Sequence, residues 1–254
     1  MKQIFYEILS PYLQSTFKIF IRKNFMKEIA VKCRGITKSY GTKENRVDAL
    51  KGINLDIHQS ELTLLVGPSG SGKTTLLSII STILTPDEGE LYLFEHEIHR
   101  MSEKEKALFR RDQLGIVFQS LLLIPTLTVL ENVSLPLLVA GHTQEAAERK
   151  AMQFLEYLKM AHRSHVSPTS LSKGQQQRVA IARAMTNESK IIVCDEPTSA
   201  LDQTSGVEAM NLLKELSSNH SKAILVVTHD HRIFSFADRV VEMSDGQILS
   251  SGKI

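Results

Sequence analysis

The run Gly67-Pro68-Ser69-Gly70-Ser71-Gly72-Lys73-Thr74 constrains this chain more than any other stretch, because it satisfies G-x-x-x-x-G-K-[ST] in full. An apolar run, Glu61–Val66, precedes it, and Lys73–Ile83 reads as a helix after it. A buried strand that ends in such a loop and opens a helix belongs to an α/β architecture. The glycines let the backbone wrap closely around phosphate oxygens with its N–H groups turned inward. The helix start adds its positive end. Lys73 supplies a mobile charge for β- and γ-phosphates, and the Thr74 hydroxyl a magnesium ligand. Thr75 joins the nucleotide-binding set. The loop by itself specifies a nucleoside triphosphate and no more.

The surrounding pattern alternates. Ala30–Ile36 and Asn54–Ile57 read as extended segments, with a turn at Tyr40-Gly41 after the first. Ser102–Asp112 is helical in composition, Gly115–Phe118 a short strand, and residues from about 128 to 186 mainly helical. Ile191–Cys194 and Ala223–Val227 are continuous β-branched apolar runs, which fit parallel strands buried on both faces. Val240–Glu242 and Gln247–Leu249 flank Asp245-Gly246, a hairpin signal. The run before Asp195 and Glu196 places two carboxylates at the end of a buried strand, the edge at which open α/β sheets bind ligands. Asp195 is suited to hold magnesium, and Glu196 to orient or deprotonate an attacking water. Cys194 reads as a small buried hydrophobe.

Composition excludes several classes. Among 254 residues, 42% are hydrophobic and 23% charged, which is globular. Two cysteines, Cys33 and Cys194, make no disulfide framework or zinc cluster. The net charge of +2 divides into +4 over residues 1–27 and −2 over the rest, so nucleic acid is not an expected partner. No uncharged apolar stretch reaches the roughly 18–20 residues of a membrane helix, so any crossing falls to another chain. Residues 1–27 form an aromatic-rich extension. Leu13, Phe17, Phe20 and Phe25 share one helical face, away from Lys18 and Arg22. Three readings stand for it: translation beginning at Met26, a disordered tail, or a helix lying in a membrane interface.

Leu171-Ser172-Lys173-Gly174-Gln175, followed by Gln-Gln-Arg-Val-Ala, resembles the L-S-G-G-Q signature of ATP-binding-cassette (ABC) ATPases. Tyr40, the phosphate loop, Gln119, the acid pair, Ser199-Ala-Leu-Asp202 and Val-Thr-His229-Asp230 stand in that family's order. The resemblance covers about residues 30–250. It implies a P-loop NTPase fold: a RecA-like core sheet with helices, an antiparallel β-subdomain, and an α-helical signature subdomain inserted at about 100–186, all within 28–254. It also implies roles. Tyr40 stacks on adenine. Gln119 contacts magnesium and the attacking water. His229 binds the γ-phosphate. Ser172, Lys173, Gly174, Gln175 and Asp202 meet the nucleotide of the opposite subunit in a head-to-tail homodimer holding two ATP. Lys73, Gln119, Glu196 and His229 form the catalytic set, with ATP and Mg2+ as cofactors. Lys173 departs from the family's usual glycine; a cation at a helix start opposes the dipole unless an anion sits there.

Phe118–Asn132 followed by Val-Ser-Leu-Pro136 is similar to ATPases of the lipoprotein-releasing and macrolide-exporter type. The resemblance implies a separately encoded integral membrane permease as partner, energised for export, lipid or lipoprotein extraction or mechanotransmission, which puts such a subunit at the cytoplasmic face of the membrane. The competing classes are a soluble ABC ATPase of translation or DNA repair, and a silent regulatory subunit. The first lacks its usual second cassette or coiled-coil insertion here, and intact Lys73, Asp195, Glu196 and His229 oppose the second.

Overall fold

The computed structural model describes residues 28–42 and 45–253. The readings of segment 1–27 lie outside the described residues. Two sheets organise the chain. The larger has six strands in the order β10-β9-β3-β8-β7-β6: β3 (Glu61–Val66), β6 (Leu114–Val117), β7 (Ile191–Asp195), β8 (Ala223–Thr228), β9 (Arg239–Ser244) and β10 (Gln247–Lys253). All neighbouring pairs are parallel except β9 with β10. The smaller is an antiparallel four-stranded sheet, β2-β1-β4-β5, of β1 (Ile29–Tyr40), β2 (Val47–His58), β4 (Glu88–Leu93) and β5 (His96–Glu97).

The continuous apolar runs are explained by the layers. Every residue of β3 and β8 is buried. Along β7 and β8, Ile192, Cys194, Ile224 and Val226 face one core with helices α3 (Val129–Val139), α5 (Lys173–Met185) and α6 (Gln203–Asn219). Ile191, Val193, Leu225 and Val227 face the other, with α1 (Lys73–Ile80) and the smaller sheet. Strand side chains alternate, so a strand sandwiched between two cores reads as unbroken hydrophobicity.

Between β6 and β7 lie α3, α4 (Gln144–Tyr157) and α5, joined partly by 3-10 turns at Ala161–Arg163 and Pro168–Ser170. Thr128 with Glu131 starts α3, and Ser172 with Gln175 starts α5, each as a reciprocal capping box. Ser102 with Glu105 does the same for α2 (Glu103–Gln113). Among the described residues no helix is long and apolar enough to cross a membrane.

Three differences from the sequence reading have physical reasons. Strand β4 carries no apolar alternation over its exposed first three residues, Glu88-Gly89-Glu90. Strands β1 and β2 run well beyond the expected segments, because register shifts between Cys33 and Ile36 and around Thr37–Ser39 interrupt the alternation without ending the pairing. Helix α1 stops at Ile80, and Thr82 turns left-handed at φ 59°.

Candidate functional site

The carboxyl ends of four adjacent parallel strands converge. After β3 comes the phosphate loop; β6 leads to Gln119; β7 ends on Asp195 with Glu196 next; β8 leads to His229. They border a cleft of about 500 Å³. Ser69, Gly70, Gly72, Lys73, Thr74 and Thr75 line one side, and Gln119, Asp195, Glu196 and His229 the other. Ala49 of β2 closes it; no sequence signal marked that residue. A neighbouring cleft of about 610 Å³ shares His229, is lined by Gly67 and Pro68 and runs toward Phe234 and Lys253, but holds neither Lys73 nor the acid pair. The smaller cleft is therefore the chemical one.

The loop is shaped by its glycines. Gly72 adopts φ 97° as the residue before α1, and a Cβ there would strike the Ala49 carbonyl. At Gly67, φ 150°, a Cβ would strike the Met243 carbonyl. Ser71, within the loop, is buried. The Lys73 ammonium folds back to donate to the carbonyls of Gly67 (2.8 Å) and Pro68 (2.7 Å). Burial lowers its pKa, while Glu196 and Asp195 pull it upward. Such a cation is held by weak neutral acceptors and is free to exchange them for phosphate oxygens.

The acids sit under tension. Burial first, and the Glu196 charge second, push the Asp195 carboxyl above its ordinary range, against the pull of Lys73. Glu196 is left-handed at φ 49° and donates its N–H to the Val227 carbonyl at 2.9 Å. A non-glycine residue in that region costs roughly 1–2 kcal/mol. Its Oε1 lies 2.6 Å from His229 Nδ1, and its buried Oε2 has no partner among the described residues. The imidazole is exposed and the carboxylate mostly covered. Thr74 hydroxyl, Gln119 amide oxygen and Asp195 carboxylate form an oxygen-only donor set, which suits magnesium. The crowded carboxylates supply the charge such an ion relieves. Among the described residues no group of three or more His, Cys, Asp and Glu side chains is placed to hold a metal ion by itself.

The remaining candidates lie elsewhere. Tyr40 ends β1, opposite Val47, is 45% exposed, and does not line the cleft. Ser172 caps α5: its Oγ accepts from the Gln175 N–H (3.3 Å), and Gln175 Oε1 accepts from the Ser172 N–H (3.1 Å). Asp202 caps α6 by accepting from the N–H (3.0 Å) and hydroxyl (2.8 Å) of Ser205. Gly174 faces that same Ser205, whose Oγ would lie 2.8 Å from a Cβ at 174. The set expected to act across subunits is thus gathered at one place, the paired starts of α5 and α6. Lys173 borders a small cavity of about 70 Å³ with Gln119 and Glu196 of its own chain.

The family profile described as ABC transporter matches residues 50–199. An uncharacterised ABC transporter ATP-binding protein of Methanocaldococcus jannaschii, MJ0796, is 42% identical over 228 residues, 88% of this chain and 97% of that protein. The chain belongs to the ABC transporter ATP-binding family. The lipoprotein-releasing system ATP-binding protein LolD of Bacteroides fragilis is 40% identical over 85% of this chain and 98% of its own length. The macrolide export ATP-binding/permease protein MacB of Agrobacterium fabrum is 40% identical over 89% of this chain, which spans 35% of that longer protein. A solved dimeric structure of a post-hydrolysis state of the MJ0796 cassette, bound to ADP and Pi, superposes with a TM-score of 0.81 at 40% identity, covering 88% of this chain and 98% of that one. This ABC subunit is an ATP hydrolase that energises a transporter, and a soluble role in translation or DNA repair is not favoured.

Proposed function

We propose that two copies of this chain close head to tail around two ATP molecules, driving a separately encoded integral membrane permease from the cytoplasmic side. Nucleic acid has no part in it. The observation that carries the reading is the convergence of Lys73, Thr74, Gln119, Asp195, Glu196 and His229 on one cleft, whose lining includes neither the Ser172–Gln175 segment nor Asp202, although Lys173 borders a small adjoining cavity. A protomer built this way binds the triphosphate but does not surround it.

The phosphate loop amides and Lys73 cradle the β- and γ-phosphates, and Tyr40 offers an exposed ring for the adenine. Thr74, Asp195 and Gln119 would hold magnesium, which when bound neutralises charge on the phosphate oxygens. Glu196 Oε1, on leaving His229, accepts a hydrogen bond from the attacking water and takes its proton. His229, freed in turn, donates to the γ-phosphate. The partner's signature helix covers the open side and excludes bulk water. The dimeric structure of the MJ0796 cassette and the permease-linked names of LolD and MacB support the homodimer and the membrane partner.

Phosphate release by Glu196→Gln against wild type tests the catalytic assignment. The expected outcome is unchanged ATP affinity with turnover reduced by orders of magnitude; wild-type turnover removes Glu196 from the role of base.

A further inference from the structure

The loop that carries Gln119 is fastened by a residue of α5 that no nucleotide-site motif includes. Leu121 (φ 59°) and Leu122 (φ 47°) are consecutive non-glycine residues in the left-handed region, where Cβ crowds the following carbonyl oxygen. Their N–H groups donate to the carbonyls of Phe118 (2.9 Å) and Ser120 (2.7 Å), which tightens the turn directly around Gln119. Their own carbonyls both accept from Arg183: Nη2 to Leu121 O at 2.5 Å and Nη1 to Leu122 O at 2.7 Å. Arg183 is half-buried, and burial lowers its pKa from the ordinary value. Among the described residues no carboxylate forms an ion pair with it. A desolvated guanidinium without a counter-charge is unfavourable, and so is a left-handed leucine pair. Each is stabilised by the other. Further along, Asn132 of α3 holds Ile124 through both backbone groups, at 2.8 Å and 3.0 Å. The stretch after Gln119 therefore has one fastening on each of two helices.

Helix α5 has 13 residues and is about 20 Å long. Ser172 caps its start, and Arg183 sits near its other end. Any tilt of α5 is passed by two hydrogen bonds to Leu121 and Leu122, which follow Gln119 by two and three residues. We infer that Arg183 is a positioning residue for Gln119: its paired bonds to the Leu121 and Leu122 carbonyls set where the Gln119 amide stands in the cleft, and make that placement follow α5. The inference rests on the proposed reading of Gln119 as a ligand of magnesium and water.

The test uses the full chain carrying Ser120→Cys with a nitroxide label. The native Cys33 and Cys194 are both 0% exposed, so the label reports on the loop alone. Three changes are compared: Arg183→Met, which keeps length and loses the donors; Arg183→Lys, which keeps charge but not the fork; and Arg183→Met with Leu122→Asn, because asparagine tolerates the left-handed region. For Arg183→Met the expected result is a more mobile label, kcat lowered about tenfold, or ~1.4 kcal/mol, and a higher half-saturating Mg2+ concentration. The KM for ATP stays within about twofold, since the phosphate loop is untouched. Arg183→Lys falls between, and Leu122→Asn restores part of both label order and kcat. Should Arg183→Met not fold, Arg183→Lys is read on the same scales. An unchanged label, or a fall in kcat matched by an equal rise in KM and a lower Tm, overturns the inference and leaves Arg183 a packing residue. Gln119→Ala is the control: if it leaves the Mg2+ requirement as in wild type while Arg183→Met still mobilises the label, the reading of Gln119 fails and the clamp survives as a structural feature only.

Discussion

Ser172→Asp separates helix capping from the role of the signature segment across the subunit boundary. In the protomer Ser172 Oγ accepts the Gln175 N–H, and aspartate is an equally good N-cap. The carboxylate also lies at the positive end of α5, which favours it by about 0.3–1 kcal/mol. Monomer stability should therefore hold or rise slightly. In the closed dimer that carboxylate would face the partner's γ-phosphate. Two unit charges about 4 Å apart at an effective dielectric constant near 20 repel by about 4 kcal/mol. That is roughly a thousandfold in the association constant for each composite site. Ser172→Ala is the reference, because it loses the cap, about 1 kcal/mol, without adding charge. Thermal melting reads the monomer, a fluorescent ATP analogue reads binding, and sedimentation velocity with ATP reads closure. The expected pattern for Ser172→Asp is a wild-type melt, wild-type ATP binding, and neither dimer nor turnover. ATP-driven dimerisation equal to wild type would refute the reasoning. Gly174→Asp is a poorer probe, because any Cβ at 174 presses on Ser205 within the same chain.

Gly72→Ala places a Cβ against the Ala49 carbonyl at φ 97°; chemical denaturation should show a loss of at least about 2 kcal/mol together with loss of nucleotide binding. Asp195→Asn should raise the melting temperature of the nucleotide-free protein near neutral pH while abolishing Mg2+-dependent hydrolysis. Its folded-state pKa is raised, so the stabilisation tied to its proton is present at low pH and lost as pH rises through that pKa. The wild-type melt should accordingly decline with rising pH across that window more steeply than the variant's, and parallel pH profiles would contradict the desolvation argument. Lys173→Gly should alter steady-state ATPase turnover only modestly, since Ser172 and Gly174 remain in place; a loss as large as that of Glu196→Gln would make Lys173 part of the machinery.

The sequence was most legible where the backbone demands glycine or where strands are buried on both faces. Glu61–Val66, Ile191–Cys194 and Ala223–Val227 show their burial directly, and Gly72 shows the steric reason for its place in the motif. Strand β4 was hidden because Glu88-Gly89-Glu90 face solvent, and the full length of β1 because its bulges reset the alternation. In the site, Ala49 had no signal, since a single alanine within a strand belongs to no motif and reaches the cleft only through the placement of β2. The Arg183 contacts were equally silent: they are made to backbone carbonyls 61 and 62 residues away, and carbonyls carry no sequence identity. The His229–Glu196 contact joins two residues that were each assigned a role, but their mutual restraint depends on the adjacency of β7 and β8.

The central claim is that a complete ATP site needs two copies of this chain. Sedimentation velocity of Glu196→Gln with saturating Mg·ATP, combined with nucleotide quantification of the sedimenting species, tests it most directly. The account predicts a dimer carrying two ATP per pair of chains, absent with ADP and absent when Ser172→Asp is added. A monomer that binds ATP stoichiometrically and never associates would contradict it.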